Sequence, residues 1–133
     1  MEKIILDAAV ENIETATRFV EGELQKYNSL NIGQIAVAID ELFGNIAKYA
    51  YKDGAGKVEV QVEVTGEPPV AAVTFIDSGI PYNPLKKADP DITLSAKDRS
   101  IGGLGIYIVK KTMDEIWYDY RDGKNVVTIR KKL

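Results

Sequence analysis

The stretch that decides the fold is Ala38-Ile39-Asp40-Glu41-Leu42-Phe43-Gly44-Asn45-Ile46-Ala47-Lys48-Tyr49-Ala50-Tyr51. Ile32, Ile35, Ala36, Ile39, Phe43, Ile46 and Ala50 recur at helical spacing and make one apolar face. On another face Glu41 and Asn45 stand one turn apart, with Lys48 a further turn on. A carboxylate, an amide oxygen and an ammonium in one row can hold a metal, a phosphate and an attacking hydroxyl together. Taken alone, such a row is a solvated helix face. The rest of the chain changes that reading.

Two glycine-bearing segments follow in order. An apolar, β-rich run, Val70 to Ile76, ends at Asp77-Ser78-Gly79. Gly79 permits a tight turn or the close approach of a ligand. Further on, Arg99-Ser100-Ile101-Gly102-Gly103-Leu104-Gly105 reads as a glycine-rich loop opening a helix. Ile101, Leu104, Ile108 and Val109 would give that helix its apolar stripe. Free backbone N–H groups at such a start attract phosphate. Each segment alone could be a plain turn or a surface loop; the three in fixed order say more.

Together they resemble the ATP-binding module of the GHKL superfamily, shared by DNA gyrase B, Hsp90 chaperones, sensor histidine kinases and MutL. Glu41-x-x-x-Asn45-x-x-Lys48-Tyr49 is similar to its N-box, Asp77-x-Gly79 to its first glycine box, and Gly103-Leu104-Gly105 to its second. Within the superfamily the chain most resembles the stand-alone anti-sigma-factor serine kinases of the RsbW and SpoIIAB type. The run from Gly102 to Tyr118 and the ending Gly123 to Lys131 carry that likeness.

Composition prunes the alternatives. At 133 residues the chain is expected to be one domain, 1–133, with a real core. It has no cysteine, which excludes disulfides and thiolate metal sites and makes a cytoplasmic location the default expectation. It has no histidine, which excludes Ser-His-Asp hydrolysis, the zinc-protease helix and a histidine phosphoacceptor within the chain. Net charge is −3 with no sustained basic run, so no nucleic-acid partner is expected. No stretch is long and apolar enough to span a bilayer, so no membrane partner is expected; Met1-Glu2-Lys3 leads into a strand rather than a signal peptide.

A walk along the chain predicts strands at Lys3–Ala8, Lys57–Thr65, Val70–Ile76, Glu115–Tyr120 and Asn125–Lys131. It predicts helices at Asn12–Tyr27, around Glu41, and at Leu104–Met113. Val58, Val60, Val62 and Val64 alternate with Glu59, Gln61 and Glu63, as in a strand with one wet face. Asn83 to Ser100 has prolines, charges and little periodicity, and reads as a long functional loop, a lid over about 83–102. The expected fold is α+β: a two-layer sandwich of the Bergerat type, with helices on one face of a mixed, mainly antiparallel sheet.

The resemblance implies roles. Asp77 would accept a hydrogen bond from the adenine amine, since a carboxylate is acceptor-only at neutral pH. Gly79 belongs to the same box, Thr128 on the last strand would support the acid and the base, and Tyr49 would line the adenine pocket. Asn45 would give an oxygen to Mg2+, with phosphate oxygens and water completing the shell. Lys48 would contact phosphate, and Gly102, Gly103, Leu104 and Gly105 would offer backbone N–H groups to it. Arg99 would stabilise charge on the γ-phosphate, and Glu41 would be the general base. Tyr49 departs from the histidine of many serine-kinase relatives, Pro81 from a second glycine, and Ile101 from the longer glycine run of sensor kinases.

The implied function is an ATP-dependent protein serine/threonine kinase of the partner-switching type. It would bind a sigma factor and phosphorylate an anti-sigma-factor antagonist, working as a homodimer. Two other readings stand beside it: a non-catalytic, nucleotide-gated binding module, and the detached ATPase domain of a split sensor kinase.

Overall fold

A computed structural model describes residues 1–53, 55–86 and 104–133. Of the expected lid, only 83–86 are described, with one 3-10 turn at Pro84–Lys86; the remainder to 102 lies outside the described residues.

The strands are β1 (Glu2–Asp7), β2 (Lys57–Thr65), β3 (Val70–Asp77), β4 (Glu115–Arg121) and β5 (Lys124–Lys132), and the helices are α1 (Ile13–Leu24), α2 (Ile32–Tyr49) and α3 (Leu104–Thr112). One five-stranded sheet runs β1-β2-β3-β5-β4. The sequence suggests a mixed sheet, but every pairing among the described residues is antiparallel. Hairpin-like connections join β2 to β3 and β4 to β5, and antiparallel neighbours need nothing longer. The return of β5 between β3 and β4 is the one topological step that matters to function. It sets the start of β5 beside the end of β3, with Asp77 opposite Asn125.

All three helices cover one face. Val58, Val60 and Val62 of β2, and Ala71, Val73 and Phe75 of β3, point into that layer and are buried, while Glu59, Gln61 and Glu63 point away. α1 contributes Ala16, Val20 and Leu24; α2 contributes Ile35, Ala38, Ile39, Leu42, Phe43 and Ile46. The α2 stripe is wider than the sequence pattern implies. Ala38 and Leu42 are buried as well, because α2 lies between the sheet and both other helices. The stripe expected on α3 is corrected. Ile106, Val109 and Met113 face the core, whereas Leu104 and Ile108 are exposed and Ile101 lies outside the described residues. With 3.6 residues per turn, 106, 109 and 113 form one face and 104 and 108 another.

Phe43 is fully buried at the centre of this layer. Phe43→Ala is expected to cost about 3–5 kcal/mol of folding stability, read as a lowered urea midpoint with an unchanged slope.

Candidate functional site

The candidate site begins where α2 ends. Ile80 donates its N–H to the carbonyl of Ala50 at 2.9 Å, tying the turn after β3 to the end of α2. Gly79 lies so close that a β-carbon there would collide with the Ala50 carbonyl, which is the physical demand for glycine at this place. Tyr51 adds a second tie. Its hydroxyl donates to the Lys57 carbonyl at 2.6 Å and accepts the Ser78 N–H at 2.9 Å. The end of β3 is thereby pinned under α2.

Between them lies a cleft of about 430 Å3, mouth included, lined by Leu42, Asn45, Ile46, Tyr49 and Ala50 of α2 and its end, and by Asp77, Ile80, Tyr82, Pro84, Asn125 and Val127. Mostly apolar walls with a few converging polar groups are the usual form of a small-molecule site. Tyr49 is 63% exposed, and Ile80 and Tyr82 are exposed too. Apolar and aromatic surface at a cleft mouth suits a flat, partly apolar ring.

Asp77 and Asn125 make the polar floor. Asp77 is only 5% exposed. Its Oδ1 accepts the Gly79 N–H and the Asn125 Nδ2–H, both at 2.9 Å. Its Oδ2 has no partner among the described residues and is free to accept another donor. Burial pushes the Asp77 carboxyl above its ordinary pKa, and the bonds from Asn125 and Gly79 pull partly back. Asn125 is saturated. Its amide nitrogen also donates to the Ile80 carbonyl at 2.9 Å, and its oxygen accepts the Tyr82 N–H at 3.0 Å and the Tyr118 hydroxyl at 2.5 Å. Burial raises the pKa of Tyr118, so its hydroxyl remains a donor at neutral pH. One buried side chain thus fixes the acid, the turn behind it and the edge strand.

The second functional row runs along α2. Asn45 donates from Nδ2 to Glu41 Oε1 at 3.2 Å, and both residues are half-buried. The start of α3 packs against Glu41, so that a β-carbon on Gly105 would overlap its carboxylate. Lys48 is exposed and does not line the cleft. Leu104, also exposed, begins α3. Arg99, Gly102 and Gly103 lie outside the described residues.

The Histidine kinase-like ATPase domain model matches residues 6–131, nearly the whole chain. The chain belongs to this family. Membership gives the domain an ATP site and matches the GHKL resemblance of its boxes. The domain is 25% identical over 96 residues to the serine/threonine-protein kinase BtrW of Bordetella bronchiseptica, spanning 71% of this chain and 66% of that protein. It aligns over 100% of its length with 33% of the chain solved as the RsbU and RsbW domains of Rv1364c from Mycobacterium tuberculosis, at TM-score 0.60 and 16% identity. It also aligns with the catalytic domain of the histidine kinase ThkA at TM-score 0.50 and 15% identity, covering 99% and 97% of the two chains. The chain therefore spans just under two thirds of its curated relative and a third of the first structural neighbour. Among the described residues no helix is long and apolar enough to cross a membrane.

One expected residue is elsewhere in this ATPase domain. Thr128 does not touch Asp77. It pairs with Thr74 in the sheet register, and their hydroxyl oxygens stand 3.2 Å apart on the face away from the helices. Strand side chains alternate, so positions 125, 127 and 129 face the cleft and core while 126 and 128 face away. The β5 residue that supports the acid is Asn125, which sequence reasoning missed. A fit for Mg2+ is chemically sound. Asn45 donates one amide hydrogen to Glu41, which turns its oxygen away from that carboxylate and leaves it able to accept a cation. The described residues hold no group of three or more acidic side chains that could enclose one. A single amide oxygen supplemented by nucleotide phosphates and water is an ordinary Mg2+ arrangement.

Asn125→Ala would orphan the Ile80 carbonyl, the Tyr82 N–H and the Tyr118 hydroxyl at once. A loss of about 1–3 kcal/mol or more in stability is expected, together with weaker ATP binding, read by thermal melts with and without nucleotide. Gly105→Ala is expected to leave the fold intact and displace Glu41, seen as an altered Asn45 side-chain amide signal by NMR.

Proposed function

We propose that this ATPase domain is a protein serine/threonine kinase that transfers the γ-phosphoryl of ATP to a hydroxyl on a partner protein. The observation that carries this reading is the shared helix. α2 presents Asn45 and Tyr49 to the cleft over Asp77, and presents Glu41 one turn before Asn45. The proposed base, Glu41, is therefore carried on the same helix as the Asn45 and Tyr49 wall of the cleft, whose floor is Asp77 at the end of β3.

Asp77 Oδ2 accepts the adenine amine at the cleft floor. Guanine offers a carbonyl at the equivalent place, so this floor favours ATP over GTP. Backbone N–H groups at the start of α3 take the phosphates, with Gly102, Gly103, Leu104 and Gly105 assigned by resemblance, as are Lys48 and Arg99. Asn45 would contribute to Mg2+, which screens phosphate charge. Glu41 accepts the proton of the incoming hydroxyl as its oxygen bonds to the γ-phosphorus. The bond from that phosphorus to the β–γ bridging oxygen breaks, and ADP leaves.

The partner assignments rest on resemblance to the anti-sigma-factor kinases and on the likeness to BtrW, a serine/threonine-protein kinase. They are a sigma factor held inactive and an antagonist that receives the phosphate, served by a cytoplasmic homodimer. Incubation with labelled ATP and a candidate antagonist should give an acid-stable phosphoprotein. A non-catalytic binding module would give none, and a split sensor kinase would give an acid-labile one. Glu41→Ala should retain nucleotide binding and lose about 10²–10⁴-fold in transfer rate, measured by single-turnover kinetics. Wild-type transfer by this variant would return Glu41 to the solvated face.

A further inference from the structure

The helix layer carries a second concave surface that the ATP site does not use. It lies between the first half of α2 and α1 together with the 3-10 turn Val10–Asn12 that precedes it. Val10, Ile13 and Val37 form its apolar part, with Val10 50% and Val37 52% exposed. Its rim is acidic, with Glu11, Glu14, Glu21 and Asp40. Glu14 is engaged by Arg18 at 2.6 Å; Glu11, Glu21 and Asp40 form no ion pair among the described residues. Two half-exposed valines beside three carboxylates that form no ion pair among the described residues are complementary to an amphipathic, cation-bearing partner.

Position supplies the second argument. Val37, Glu41 and Asn45 lie at four-residue intervals on α2 and so form one row along the helix. At 1.5 Å per residue, Val37 lies about 6 Å along the axis from Glu41. A partner seated on Val37 therefore ends beside the proposed base.

We propose that this groove docks a basic, amphipathic helix of the phosphate-accepting protein. Its apolar stripe lies on Val10, Ile13 and Val37, and its Lys and Arg side chains meet Glu11, Glu21 and Asp40. This is the helix-in-groove mode of recognition with a charged rim. Naming the occupant as the acceptor rests on the kinase reading; the groove's chemistry does not.

The test uses the full chain and a fluorescent synthetic amphipathic helix of about 15 residues, bearing Leu, Lys and one terminal Ser. A version with every Lys replaced by Glu is the control. Anisotropy should show binding of the basic peptide alone, weakening as salt rises. The double variant Glu11→Lys, Asp40→Lys and, separately, Val37→Asp should each weaken it about tenfold or more. These sites are exposed and outside the ATP cleft, so ATP affinity should be unchanged. No binding of the basic peptide, or binding indifferent to these substitutions, overturns the groove and leaves the kinase reading standing. Groove-dependent binding without phosphate on the serine supports the groove and counts against the kinase reading alone.

Discussion

The hydrogen bond from Asn125 to Asp77 is the constraint on which the site depends. A carboxylate removed from water is costly unless its oxygens are satisfied. Here one oxygen is held twice, by Asn125 and by the Gly79 N–H, and the other has no partner among the described residues. The raised pKa of Asp77 has burial as its main cause. Its sign is informative. A raised carboxyl pKa means that the ionised group opposes folding at neutral pH, and that this cost vanishes as pH falls below the unfolded value. Buried carboxyls with raised pKa values cluster at functional sites, which fits the role proposed for Asp77.

The second support is α2, which joins the two ends of the proposed chemistry. Its apolar side is locked between the sheet and two helices, so its other side chains inherit a fixed frame. Ala50 and Tyr51 then fasten the helix end to the turn after β3. Movement at the adenine end would be carried through the helix to Glu41. Gly105 couples the same residue to α3, since only a residue without a side chain lets that helix approach the carboxylate.

Much of this was legible in the sequence, because local periodicity and burial agree. The β2 alternation of valine with charged or polar residues, and the α2 stripe, each bury the face their spacing predicts. The misses have physical reasons. Leu42 and Ala38 look peripheral on a narrow stripe and are buried because α2 has neighbours on two sides. Ile106 rather than Ile108 faces inward because the helix phase is set by packing, which a glycine-rich lead-in does not reveal. Family likeness points to Thr128, but strand alternation sends it to the other face, against Thr74. Asn125 carries no periodic signal. A lone asparagine beside Gly123 and Lys124 reads as a turn residue, and only the placement of β5 next to β3 makes it the partner of Asp77.

The most direct test is titration calorimetry of ATP into the wild type and Asp77→Asn, paired with thermal melts. Asparagine still offers an oxygen to Asn125 and Gly79, but it puts an NH2 group where the adenine amine must donate. If Asp77 is the base-reading acid, the variant melts no lower than the wild type in the absence of nucleotide and loses ATP affinity by about 5- to 150-fold, the equivalent of about 1–3 kcal/mol. Unchanged ATP affinity in a folded variant would contradict that role and reduce Asp77 to a turn residue.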